Sequence, residues 1–288
     1  MTETEVYGRS LAVTDPLIEP VIRAAIRALQ LPSGSRGLDA GCGIRSQALL
    51  LAEAAGPAGH VTGLDLSPES LAHAGQIVER AGLSARISFQ EGDVGTLPFE
   101  DGTFDWAWSK DCVGYSPQPE PLPLVAELAR VVKPGGSVAI LAWSSQMLLP
   151  GFPLLEAHLN ATSAGLAPFT AGSRPGSHFL RGLGWFRRAG LEALSARTFA
   201  GSAHAPLSEE IRSALMALFE MRWPGVEAEL NEADRVQYRR LCLPESPDLI
   251  LDHPDYYAFF TYSMFRGRVP RDGQSTAWTA SASRKMEA

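Results

Sequence analysis

The stretch Gly37–Ser46, GLDAGCGIRS, decides how the rest of the chain is read. A short apolar run, GLDA, passes into closely spaced glycines and then into the helical pattern SQALLLAEAA, for which Ser46 is available as a cap. That order is strand, tight turn, helix, with glycines that let the backbone approach a ligand closely. A dinucleotide site needs a third small residue so that the helix can present its N-terminus to a pyrophosphate. Here Arg45 intrudes in the turn and Ser46 stands at the place of that third residue, so the dinucleotide fit is imperfect.

The periodicity on either side extends the pattern. Upstream, DPLIEPVIRAAIRALQLP puts Leu17, Val21, Ile22, Ala25, Ile26 and Leu29 at helical spacing. Downstream, HVTGLDLS reads as a second strand, PESLAHAGQIVERAG as a helix opened by Pro68 and closed by Gly82, and ARISFQEGD and FDWAWSK as strands three and four. PLPLVAELARVVKPGG reads as a helix ending at Pro134 and its glycines, and SVAILAW as a fifth strand. Strands alternating with helices predict an α/β fold with a doubly wound, mainly parallel sheet and ligands at the carboxyl ends of its strands.

The second half supplies a helix in FLRGLGWFRRAG, a strand in LEALSARTFA, two helices in LSEEIRSALMALFEMRW and NEADRVQYRRLCL, and a final aromatic strand in YYAFFTYSMFRGRVP. Seven strands result. The expected division is an N-terminal helical segment at 1–32, a core at 33–200 plus 257–270, a helical lid insertion at 201–256 and a flexible tail at 271–288.

Composition narrows the function classes. The 288 residues are 45% apolar, which suffices for a large core, and carry a net charge of -7. That charge disfavours a nucleic-acid partner, because such affinity rests on clustered Lys and Arg. Cys42, Cys112 and Cys242 have neither zinc spacing nor a disulfide framework, which fits a reducing cytoplasm. The polar start MTETEVYGRS lacks the pattern of a secretory signal, and no apolar run reaches the ~18 residues of a membrane span. The expected protein is cytoplasmic, without a membrane span or a metal, and either a monomer or a homodimer.

Acidic residues recur where the strands end. Asp39 lies two residues before Gly41, Asp65 closes the second strand and Asp93 the third. Each alone is an ordinary turn or cap residue. Together they would repel a pyrophosphate and favour a ligand with a cationic amine and sulfonium, ribose hydroxyls and an adenine amino group.

With these residues in place, the stretch from Arg36 to Trp143 resembles the core of a class I S-adenosylmethionine-dependent methyltransferase of the small-molecule type, similar to quinone and natural-product enzymes. LDAGCG matches the family's first motif, VTGLDLSPESL the second, EGDVGTLPFEDGTFDWAWS the third and ELARVVKPGGSVAILAW the last. The resemblance implies a Rossmann-like methyltransferase core and S-adenosylmethionine as cofactor. It implies that Gly41, Cys42 and Gly43 line the methionine part, with Asp39 also among the cofactor-binding residues, that Asp65 takes the ribose hydroxyls, that Leu66 packs on the adenine, and that Asp93 accepts from its amino group with Val94 beside it. Ser109 and Lys110 would border the reacting methyl. Arg45 departs from the family's usual glycine, and its side chain either points outward or reaches the cofactor's carboxylate.

In WSKDCVGYS, Asp111 is the candidate general base, and the competing reading is an ion pair with Lys110. His253 and His204 lie at the two ends of the expected lid, and His253 is the second candidate catalytic residue; a lone histidine is more often structural. Tyr7 is a candidate to fold over the cofactor, and Tyr256 and Tyr257 to line an apolar pocket. The expected activity is methyl transfer to a small-molecule oxygen or carbon, with segments 144–175 and 201–256 covering the acceptor. The alternatives are a protein of this fold that binds the cofactor without transferring methyl, and a nucleotide-linked oxidoreductase.

Overall fold

The computed structural model describes residues 3–44, 47–115, 120–167, 169 and 173–271. The elements run α1 (Glu3–Leu29), β1 (Arg36–Ala40), α2 (Gln47–Ala54), β2 (His60–Asp65), α3 (Pro68–Arg80), β3 (Ile87–Glu91), β4 (Phe104–Lys110), α4 (Pro121–Arg130), β5 (Val132–Met147), α5 (Pro153–Asn160), α6 (Ser163–Leu166), α7 (Gly182–Arg188), β6 (Glu192–His204), α8 (Glu209–Arg222), α9 (Glu232–Cys242) and β7 (Tyr257–Arg268). The seven strands form one sheet in the order β3-β2-β1-β4-β5-β7-β6. The pairs β1–β2, β1–β4, β2–β3 and β4–β5 are parallel. Strand order reverses between β1 and β4, which opens a crevice at their carboxyl ends.

The chain divides into two compact units. One comprises Leu29–Ala142, Arg174–Arg197 and Ser263–Ala288; the other comprises Met1–Ala28, Trp143–Ser173 and Thr198–Tyr262.

In the first unit, β1, β2 and β4 bury Leu38, Ala40, Val61, Leu64, Phe104, Trp106 and Trp108, covered by Leu51 of α2, Val78 of α3 and Val125 and Leu128 of α4. Gly37 is dictated by this packing, since a Cβ there would stand 2.0 Å from the Trp106 ring. The Trp106 indole N–H donates to Ser35 Oγ at 2.8 Å, so the buried ring carries no unpaired donor. Ser67 caps α3 by accepting the Ser70 N–H, Pro68 occupies its first turn, and Gly82 follows its end at φ +68°.

Several element boundaries differ from the sequence reading; among them, β5 runs on to Met147 and β6 to His204, the latter into the start of the expected lid at 201–256. Helix α4 ends at Arg130, not at Pro134, and Val132 already opens β5. The backbone there is claimed by the sheet: the Phe104 N–H donates to Val131 O at 2.9 Å, and Phe104 pairs with Val132. The register then jumps to Trp106 opposite Ser137, so Lys133–Gly136 form a bulge, where a proline without an N–H and a glycine at φ +80° are accommodated. Helix α1 begins at Glu3, upstream of the Asp15 start that the periodicity suggests, and contains Pro16 and Pro20. Packing of Leu17, Ile18, Val21, Ile22 and Ile26 offsets the amide donors that those prolines lack.

The second unit is built on aromatic packing. Trp143 stacks on Phe260 at 4.9 Å with nearly parallel rings and meets Tyr262 edge-on. Glu156, 1% exposed, accepts the N–H groups of Leu148 and Leu149, and the Tyr256 hydroxyl donates to Leu148 O, so the turn after β5 is tied from both sides. The expected Ser46 cap, Tyr7's side chain and residues 272–288 of the tail lie outside what the structure describes.

Candidate active site

The site is built within the first unit, at the carboxyl ends of β1, β2 and β4. Register sets it: Asp39 stands opposite Gly63 on one side and Trp108 on the other, which brings the ends of the three strands level. From Ala40 the backbone enters the glycine turn. Gly41 sits at φ +73°, and its N–H and that of Cys42 both donate to Leu64 O, at 2.8 and 3.0 Å. A Cβ on Gly41 would stand 2.6 Å from Cys112 Sγ, so this glycine is required twice over, by conformation and by space. Gly43, at φ +57°, has no atom of the described residues within 4 Å of where its Cβ would stand.

Asp65 locks that turn. Its Oδ2 accepts the Gly43 N–H at 2.8 Å and its Oδ1 the Ser67 N–H at 3.0 Å. A carboxylate has about four lone-pair sites, so each oxygen still has one to offer a hydroxyl. Next to it Leu66 is 66% exposed, an apolar side chain held in solvent beside polar groups. Asp93 follows β3; its Oδ1 accepts the Gly95 N–H at 2.7 Å, which fixes the turn that carries it. Val94, by contrast, is buried. The next loop is clamped by Arg130, whose guanidinium holds Glu127, Asp101 and the carbonyls of Leu97 and Phe99, while Glu127 accepts the Leu97 N–H. That clamp carries no motif signal, because its members lie about 30 residues apart.

Asp39 is the outlier. It is 1% exposed, and among the described residues its Oδ2 has no hydrogen-bond partner. Burial pushes its carboxyl up to about 7; the Lys110 ammonium pulls it down and the neighbouring Asp65 charge pushes it further up. Lys110 ends β4 with its side chain only 8% exposed, and its Nζ contacts Asp111 Oδ2 at 2.5 Å. Asp111 itself has φ +49°, a strained conformation for a non-glycine residue, with its N–H on Leu141 O. The ion pair that the sequence set against a catalytic Asp111 is therefore formed. Ser109 is buried beside Cys112, whose thiol burial pushes up to about 11; burial drives the Cys42 thiol higher still. Both are packing groups in the neutral form, not nucleophiles.

The candidate histidines belong to the second unit. His253 is exposed and accepts the Asp255 N–H through Nδ1, closing a local turn, and His204 contacts Ala205 O. Among the described residues no three His, Cys, Asp or Glu side chains could hold a metal ion. Arg45 lies outside the described residues.

The residues present fit S-adenosylmethionine. An orphaned buried carboxylate oxygen awaits a cationic donor, Asp65 and Asp93 offer acceptors, and the open side of Gly43 leaves room against the backbone. A pyrophosphate would meet the Asp65 and Asp93 carboxylates and a buried Asp39 instead.

Residues 38–136 match the family model described as a methyltransferase domain. The chain is 32% identical over 196 residues to the demethylmenaquinone methyltransferase of Bacillus subtilis, a match covering 62% of this chain and 81% of that protein. It is 36% identical over 132 residues to the enzyme of the same name from Bacillus cytotoxicus, covering 45% of this chain and only 53%, about half, of the relative's length. The solved YcgJ protein of Bacillus subtilis shares the fold, with a TM-score of 0.54 at 18% identity, covering 88% of this chain and 99% of that one. With the glycine turn, the strand-end carboxylates and these matches in agreement, the chain belongs to the class I S-adenosylmethionine-dependent methyltransferases of the small-molecule type.

Proposed function

We propose that the protein transfers a methyl group from S-adenosylmethionine to an oxygen or carbon of a small-molecule acceptor. The observation that carries this reading is the set of strand-end carboxyl groups Asp39, Asp65 and Asp93, with Asp65 bound to the glycine turn and Asp39 Oδ2 left without a partner among the described residues. Bound S-adenosylmethionine supplies an activated methyl, so the protein's own work is orientation. Asp65 and the Gly43 amide hold the turn, Leu66 offers an apolar face to a purine, and Lys110 and Asp111 border the place where the acceptor must enter. Asp111 would serve as base only after parting from Lys110; His253 is kept as the second candidate.

The relatives named for demethylmenaquinone suggest an acceptor of quinone or phenol type. Segments 144–175 and 201–256 are assigned as the cover of the acceptor, and limited proteolysis tests this: cleavage there must fall when cofactor and acceptor analogue are both present. A cytoplasmic monomer or homodimer that binds no nucleic acid completes the reading, in keeping with the acidic charge balance. Among the described residues no helix is long and apolar enough to cross a membrane.

Calorimetric titration with S-adenosylmethionine, S-adenosylhomocysteine and NAD is the first test, followed by assay for the demethylated cofactor across quinones and phenols. Preference for NAD, or no binding of the first two, overturns the reading. Binding with no demethylated product for any acceptor favours a non-transferring protein of the same fold, a reading that the Lys110–Asp111 pair supports.

A further inference from the structure

Asp39 is buried, and one of its oxygens has no partner among the described residues. A carboxyl group so placed is held more cheaply with a proton than as a bare ion, because desolvation penalises the charge far more than the neutral acid. Among the described residues, the charged and titratable groups around it do not reverse this. Asp65, from the end of β2, opposes ionisation. Lys110, from the end of β4, favours it, but its ammonium is already engaged by Asp111 at 2.5 Å. Cys42 and Cys112 stay neutral and themselves feel the Asp39 and Asp65 charges, and Asp93 adds a further negative charge to the field at Cys112.

We propose that Asp39 carries a proton in the free protein and gives it up when the cofactor binds, so that cofactor loading is proton-coupled. The inference rests on the cofactor reading above and concerns a step that reading does not address. On binding, the Asp39 O–H bond breaks, the proton passes to the buffer, and the carboxylate pairs with the incoming ammonium; no electrons change hands. The cofactor's own amine, with an ordinary value near ~8, stays protonated through pH 7 and does not confuse the count. Lys110 sets the poise: it keeps Asp39 close enough to ionisation for one incoming cation to complete it.

The test is calorimetric titration with S-adenosylmethionine at pH 6 and pH 7, each in two buffers of different ionisation enthalpy. Release of about 0.9 proton at pH 6 and about half a proton at pH 7 is expected, with affinity falling toward tenfold per pH unit below 7. Asp39→Asn must abolish the buffer dependence. In parallel, the carboxyl stretching band of the cofactor-free wild-type protein is followed by infrared titration; a protonated carboxyl lost with a midpoint near 7, and missing from Asp39→Asn, is expected. Should that variant fail to fold, Asp39→Glu and the wild-type titration still decide. Binding heat without proton release, or proton release that persists in Asp39→Asn, overturns this inference alone. No heat with S-adenosylmethionine or S-adenosylhomocysteine overturns the cofactor reading as well.

Discussion

The Asp65 carboxylate accepts the Gly43 N–H at 2.8 Å, joining the end of β2 to the glycine turn that follows β1. One side chain thus shapes the turn and supplies acceptors to the ligand. Asp65→Ala is expected to weaken S-adenosylmethionine binding by roughly 100-fold, the order expected when charge-assisted hydrogen bonds are lost, with a smaller loss in melting temperature. Calorimetry beside a thermal melt separates the two effects. Equal affinity in the variant would remove Asp65 from the site.

Gly41 and Gly43 both have positive φ but differ in surroundings. Gly43→Ala meets no atom of the described residues and is expected to destabilise by about 1 kcal/mol through backbone strain. Gly41→Ala must also displace Cys112, adding about 1–3 kcal/mol of overpacking. Cys112→Gly in the Gly41→Ala background should recover most of that second amount in urea denaturation, and no recovery would show that the clash is not the cause.

Burial of Asp39 makes the stability of the cofactor-free protein depend on pH. Its carboxyl titrates near 7 when folded and at 3.8 when unfolded, so the folded state holds more protons between these values. Stability from this group is full below pH 3.8 and is lost as pH rises through 7, by up to ~4 kcal/mol. Asp39→Asn removes the ionisable group and should be the more stable protein at pH 8, by roughly 2–4 kcal/mol, while binding cofactor more weakly. Chemical denaturation at pH 5 and pH 8 checks the sign; a variant that gains nothing at pH 8 contradicts it.

Lys110 lowers the Asp39 carboxyl, and Lys110→Met should therefore raise it further. Cofactor affinity in this variant is expected to lie below that of the wild type at pH 7 and to fall further toward pH 6. Activity lost equally at every pH would instead assign Lys110 to the acceptor.

Glu156 accepts three hydrogen bonds from the amides of Leu148 and Leu149, and burial raises its carboxyl above the ordinary range despite them. Glu156→Gln turns an NH2 group toward those amides or leaves one of them unpaired, which should destabilise by about 1–3 kcal/mol. Circular dichroism melts test this; an unchanged midpoint would mean the turn finds other partners.

Local pattern was enough for the core. Alternation of strands and helices, the glycine turn after GLDA and the acidic strand ends are each written within a few residues, and short-range periodicity and turn chemistry read them directly. The same locality explains the misplaced end of α4: Val131 and Val132 continue the helical pattern, but Val131 caps the helix, and only the pairing of Val132 with the distant Phe104 makes it strand. Nor does local pattern say that Lys110 is buried on Asp111, that Arg130 clamps the loop after β3, or that Glu156 and Tyr256 tie the same turn. Least of all does it tell a turn-capping aspartate from one whose oxygen is sealed from water without a partner among the described residues. Asp39, Asp65 and Asp93 look alike as sequence; strand register and burial, which are set by the whole sheet, give the three carboxylates different electrostatics.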